Sequence, residues 1–122
     1  MKLIEAAKAN GISRYLIVSA IGVTKPDSWS DDMKPYYEAK AAADRDVEAS
    51  GLEYTIVRPG GLTDDSGTGK VDIAEDIGRS GSVAREDVAL VIAECLTADN
   101  AIGKAFDLLG GETPVAEAIA AL

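Results

Sequence analysis

Histidine is absent from all 122 residues. That single gap removes Ser-His-Asp triads, Cys-His pairs, His-ligated zinc and the paired-His metalloprotease motif, so any acid–base chemistry must fall to tyrosine, lysine or carboxylates. Cysteine occurs once, at Cys95, which excludes an internal disulfide; its place in an apolar helical pattern reads as a buried, inert thiol, and a reducing cytoplasm is the expected location. Basic side chains are outnumbered, 12 against 21 acidic ones, for a formal charge of −9. That charge repels phosphate backbones and anionic lipid surfaces, so neither nucleic acid nor a membrane is an expected partner. Long apolar runs are also lacking: Lys2, Glu5 and Lys8 interrupt the first ten residues, leaving no signal-peptide core or spanning segment there.

What is present is a 47% hydrophobic composition made mostly of small aliphatic residues, with only 5% aromatics, suited to close packing of helices on a sheet. Residues 2–10 carry Leu3, Ile4, Ala6 and Ala7 at helical spacing and stop at Asn10-Gly11, so the chain is expected to begin inside a helix. The run 15–20 predicts a first strand buried on both faces. Residues 22–32 form a polar loop around Trp29, a candidate lid. A helix is expected over 35–50, closed by Gly51, then a strand over 53–58 ended by Pro59-Gly60-Gly61. Residues 63–82 read as a glycine- and aspartate-rich loop holding a short strand at 70–73. A helix over 86–98, a third strand over 103–109 and a short terminal helix capped and opened by Thr113-Pro114 complete the order. Length and pattern predict one domain over 1–122, of α/β class, layered, with a parallel sheet of about three main strands flanked by helices.

Three features bear on chemistry. Tyr36 and Lys40 lie four apart on the central helix, so they share a face, and an ammonium beside a phenol favours the phenolate needed for proton exchange. Ser19 ends the first strand, at the edge where open α/β sheets place their ligand crevice. Pro59-Gly60-Gly61 ends the second strand on that same edge, where glycines allow close backbone approach and the N–H groups are expected to be free to donate. The acidic runs Asp31-Asp32 and Asp44/Asp46/Glu48 read as solvated faces.

Together with these motifs, Ile4-Glu-Ala-Ala-Lys8, Gly11-Ile-Ser-Arg-Tyr15, Val18-Ser19, Tyr37-Glu-Ala-Lys40, Ser50-Gly-Leu-Glu-Tyr-Thr-Ile-Val-Arg-Pro-Gly-Gly-Leu62, Arg85-Glu-Asp-Val-Ala89 and Thr113-Pro114 span nearly the whole chain. In them the chain resembles the atypical branch of the short-chain dehydrogenase/reductase family, proteins with a Rossmann-type NAD(P)-binding domain. The resemblance implies that Ser19 orients a substrate oxygen, that Tyr36 is the general acid or base, and that Lys40 binds the nicotinamide ribose of NAD or NADP. It implies further that Pro59, Gly60 and Gly61 line the carboxamide and that Thr63 adds a hydroxyl contact. The substrate would be a small carbonyl, quinone or flavin-like molecule, and the hydride chemistry would belong to the cofactor.

The family's glycine-rich phosphate loop has no counterpart. The resemblance therefore makes the chain the C-terminal part of such a domain, entering before the fifth strand with roughly 80 residues lacking, and weak or no cofactor binding by itself is expected. The first strand would then carry an open edge, and self-association through it is an expectation. A non-catalytic nucleotide-sensing module, and a shortened chain inactive by itself, stay open as alternatives. Two tempting matches fail on their context. Residues 64–75 imitate an EF-hand loop but follow Arg-Pro-Gly-Gly-Leu-Thr, which is no helix. Gly67-Thr-Gly-Lys70 imitates a phosphate loop, but Val71 stands where Ser or Thr is needed.

Overall fold

The structure is a computed structural model and describes residues 2–122. Helix α1 (Lys2–Ala9) leads into strand β1 (Arg14–Val18), a polar segment with one 3₁₀ turn (Pro26–Ser28), helix α2 (Lys34–Glu48) and strand β2 (Glu53–Pro59). Short β3 (Gly61–Thr63), β4 (Lys70–Ala74) and short β5 (Ser82–Ala84) precede helix α3 (Arg85–Thr97). A second 3₁₀ turn (Asp99–Ala101), β6 (Lys104–Gly110), β7 (Thr113–Pro114) and α4 (Val115–Ala120) finish the chain.

The main sheet has the order β1-β2-β6-β4-β7. The first three strands are parallel, with Ile17 beside Ile56 and Val57 beside Phe106, as two helical crossovers require. Beyond them β4 runs antiparallel to β6 and pairs on its other side with the two-residue β7. The three parallel strands expected from the sequence are therefore present, extended by β4, which runs against them, and by β7, which is antiparallel to β4 and so runs with them. Of these, β4 was expected at 70–73 and occupies Lys70–Ala74. Strands β3 and β5 form a separate parallel pair that brackets the stretch read as loop; three residues are too few to show a two-residue period.

Two further expectations are corrected. Thr113-Pro114 does not cap and open the last helix: both residues pair with β4, Pro114 is in extended conformation at the N-cap, and no side chain caps α4. Strand β1 is half-buried along its whole length, not buried on both faces. It lies at the margin of the sheet, and among the described residues nothing pairs with its outer side, the geometry on which the expected self-association rests.

Alternation along β2 and β6 sends side chains to two cores. On one face Val57, Phe106 and Leu108 meet Val88, Val91 and Cys95 of α3 and Ala118 and Ile119 of α4. On the other Ile56 meets only Ile4 of α1 and Val47 of α2 as buried partners in its cluster. Gly51 holds φ +79°, a conformation that L side chains disfavour, and this reverses the chain from α2 into β2 within a few residues.

Candidate functional site

The backbone beyond β1 continues along β2: Ser19 N–H donates to the Val57 carbonyl (2.7 Å) and Ile21 N–H to that of Pro59 (3.1 Å). Ser19 is thereby fixed at the C-terminal end of the parallel strands, where its position predicted it. Helix α2 brings Lys40 to the same place, its Nζ donating to the Val18 carbonyl at 3.3 Å. One turn earlier Tyr36 is 45% exposed, with Nζ of Lys40 5.8 Å from its ring centroid. The expected sharing of a face by Tyr36 and Lys40 is thus realised as a cation over a ring.

Around them the chain concentrates half of its six aromatic side chains. Tyr36 meets Tyr37 edge to face at 5.4 Å, and Trp29 stacks on Tyr37 at 5.4 Å with planes 12° apart. The Trp29 indole N–H donates to the Gly22 carbonyl (2.9 Å), closing the candidate lid segment on itself, while the stacking of Trp29 on Tyr37 holds that segment against α2.

Ser19 is not free. It is 4% exposed, and its hydroxyl donates to Oδ2 of Asp44 at 2.9 Å. Asp44, read from the sequence as part of a solvated acidic face, is itself 5% exposed; only its neighbours Asp46 and Glu48 lie on the outside of the helix. The reason is spacing: Tyr36, Lys40 and Asp44 are three successive turns of one stripe. That periodicity was the available signal. Arg58 of β2, also buried, places Nε 3.7 Å from Asp44 Oδ2, an ion pair beyond hydrogen-bond length. Asp44 Oδ1 and Arg58 Nε have no hydrogen-bond partner. Burial pushes the Asp44 carboxyl above its ordinary value, with the Ser19 hydrogen bond and the Arg58 charge working in the opposite direction.

The glycines after β2 differ from expectation. Gly60 N–H donates to the Leu108 carbonyl and Gly61 N–H to that of Gly81, each at 3.0 Å, so neither is free for a ligand. A Cβ on Gly60 would lie 2.5 Å from both the Gly81 oxygen and Leu109 Cδ2. Glycine is required there by the approach of the chain before β5. Pro59 is buried, and Thr63 is half-buried at the end of β3.

The loop that imitated cation and phosphate motifs is filled from within. Glu86 accepts from Gly67 N–H (2.9 Å), and the buried Asp87 carboxylate accepts from Thr68 N–H (3.1 Å) and Gly69 N–H (2.9 Å). Asp64 pairs with Arg85. The amides of this loop thus hold an anion that belongs to the first turn of α3. Cys95 is fully buried, and burial pushes its thiol up to about 11, as its expected inertness requires.

Parallel strands joined through helices, with polar and titratable groups gathered at their C-terminal end, define an α/β protein of the nucleotide-binding kind. Comparison with known proteins makes this specific. Residues 1–99 match the family model described as NAD(P)H-binding, and the chain belongs to that family. It is 48% identical over 118 residues to a protein of Bacillus subtilis named uncharacterized sugar epimerase YhfK, covering 97% of this chain and 55% of that one. Among solved structures, a putative NAD-dependent epimerase/dehydratase from Bacillus halodurans superposes with a TM-score of 0.95 at 41% identity, over 99% of this chain and 57% of that one. The anaerobillin reductase ChuY from Escherichia coli O157:H7 superposes with a TM-score of 0.77 at 30% identity, over 90% of this chain and 56% of that one. The chain therefore spans a little over half the length of the relatives it matches.

NAD(P)H is the cofactor of this family, and the nicotinamide side of such a site fits the residues present in part. An exposed tyrosine and a half-buried lysine stand together at the strand end, whereas the amides of Gly60 and Gly61 are already committed. Among the described residues no helix is long and apolar enough to cross a membrane.

Proposed function

We propose that this chain carries the reaction-side half of an NAD(P)H-dependent reductase acting on a small carbonyl, quinone-like or flavin-like substrate in the cytoplasm. The observation that carries it is the Tyr36–Lys40 pair, stacked on successive turns of α2 at the C-terminal end of β1 beside Ser19. In this proposal Tyr36 exchanges the proton with the substrate oxygen, and Lys40 holds the nicotinamide ribose beside it. Ser19 orients the reacting group. Pro59, Gly60 and Gly61 contribute lining surface but no amide donors, and Thr63 contributes a hydroxyl. Bound NAD(P)H would supply the hydride. The aromatic group Trp29-Tyr37-Tyr36 offers flat surface beside Tyr36, which suits a planar conjugated substrate.

The test is NAD(P)H oxidation with a panel of quinones, flavins and conjugated carbonyl compounds. Replacing Tyr36 by Phe should lower turnover on the order of a hundredfold or more while leaving cofactor affinity, followed by calorimetry, unchanged. Equal turnover in the Tyr36→Phe protein would remove Tyr36 from the chemistry. Cofactor binding without turnover on any member of the panel would favour a sensing role instead.

A further inference from the structure

We infer that Asp44 is a positioning residue for this site: it draws the only proton of the Ser19 hydroxyl into a buried hydrogen bond, so that Ser19 meets a substrate as an acceptor and Tyr36 is left as the donor to a carbonyl. The inference rests on the reading of Ser19 and Tyr36 given under Proposed function.

The direction of the Ser19–Asp44 bond follows from valence. At pH values above the raised Asp44 midpoint the carboxylate has no proton to give, so over the 2.9 Å separation the serine must donate, and a hydroxyl has one hydrogen. What remains on Ser19 for any ligand is its lone pairs. A substrate that places an N–H or O–H beside Ser19 is then matched, whereas a bare carbonyl oxygen must take its hydrogen bond from Tyr36 alone.

A purely structural role explains the arrangement poorly. Burying a carboxylate and a guanidinium costs free energy that only close, well-aligned hydrogen bonds recover, and apolar replacements often do better. Here the Arg58 Nε to Asp44 Oδ2 separation is 3.7 Å and both Nε and Oδ1 lack partners, so the pair is badly made as a staple. It is well made for another purpose: the Arg58 charge opposes protonation of Asp44 without competing for the bond that Ser19 donates. An open cleft of about 180 Å³, lined by Val23, Thr24, Ala41, Asp44, Glu48 and Arg58, lies beside the pair. The charged groups facing Asp44 are Arg58 from β2 and Lys40 and Glu48 from α2, with the Ser19 hydroxyl coming from the end of β1. Lys40 and Arg58 favour the ionised form, and Glu48 opposes it.

Position in the stripe gives the second argument. Asp44 follows Lys40 by one turn, as Lys40 follows Tyr36, so a single helix face delivers the proton donor, the ribose-binding cation and the group that sets the serine's polarity. A rotation of α2 would disturb all three together.

Two measurements on the intact 122-residue chain decide it. In the first, carboxyl carbon NMR of aspartate-labelled protein follows the Asp44 titration, with Asp44→Asn identifying the signal. Serine donation holds the Asp44 midpoint down, so Ser19→Ala should move it to higher pH while the other aspartates stay; an unmoved midpoint overturns the bond. In the second, kcat/KM is compared for a substrate bearing N–H or O–H next to the reacting centre and for one bearing only a carbonyl. An Asn at 44 can donate its amide hydrogen to Ser19 and release the serine proton, so Asp44→Asn should move the ratio about tenfold toward the carbonyl substrate, the effect of one hydrogen bond. In the Ser19→Ala background the same substitution should move it no further. An unchanged ratio with Tyr36→Phe still inactive overturns the inference and leaves the proposed function standing. Full turnover in Tyr36→Phe counts against the proposed function and the substrate half of the inference; where the parent chain by itself shows no turnover, the NMR titration decides the Ser19–Asp44 bond, and an unmoved midpoint overturns the inference. Should Asp44→Asn fail to fold, Ser19→Ala tests the bond from its other end.

Discussion

The two faces of the central sheet are built differently. The face covered by α3 and α4 buries a continuous apolar cluster from Val57 through Phe106 and Leu108 to Ile119, around the inert Cys95 thiol. The face covered by α1 and α2 has a cluster of three buried aliphatic residues, Ile4, Val47 and Ile56, and beside them Ser19, Asp44, Arg58 and Asp107 are buried as well. One face collects the hydrophobic free energy of folding, and the other uses the rigidity this provides to hold polar groups that would not bury themselves unaided. The division teaches where to look for chemistry in such a layered fold: on the face whose burial is hardest to explain by packing.

The largest test of that contrast is truncation of one apolar residue on each face. Phe106→Ala should destabilise the chain by about 3–5 kcal/mol in urea unfolding, because a dry, close-packed site cannot collapse around the lost ring. Ile4→Ala should cost clearly less, about 2 kcal/mol, since α1 packs through a single turn. Equal losses would break the comparison. Next in size is Asp87→Ala, which strands the Thr68 and Gly69 amides and should cost about 2 kcal/mol by the same measurement.

The smallest effect is one of sign, and it belongs to the polar face. Because the folded-state Asp44 carboxyl titrates above its ordinary value of 3.8, the native chain holds a proton that the unfolded chain has released. Stability from this group is therefore present in acid and lost as pH rises from about 3.8 through the raised value. Unfolding measured at several pH values should show Asp44→Asn with a stability that rises more, or falls less, across that window than the parent. Identical slopes would mean that Asp44 is solvated after all, as its sequence neighbours are.

Much of the fold was legible because its signals are local. The Ala-, Glu- and Lys-rich run closed by Gly51 marks α2, and the β-branched run ended by Pro59-Gly60 marks β2. What escaped is set by partners distant in sequence. Nothing near Thr113-Pro114 shows that β4, some forty residues earlier, will pair with them and displace the expected helix cap. Nothing near Gly60 shows that Leu108 and Gly81 will take its amide and its neighbour's. The site was legible to the extent that it lies on one helix stripe: Tyr36 and Lys40 were found by spacing of four, and one more step of the same spacing reaches Asp44. That step was obscured by Asp46 and Glu48, which give the segment the composition of a solvated surface.

The glycine-rich stretch around Gly67 to Gly69 has a consequence for how this chain tolerates change. By composition it resembles a connector where an insertion or a protease cut does local harm only. Yet its amides are tied to the start of α3, and the Gly69 carbonyl accepts the Val115 N–H that begins α4, at 3.0 Å. Lengthening it by even one residue would therefore be felt at the far end of the chain, as slackening of the last helix and faster amide exchange there, before it was felt in the loop itself.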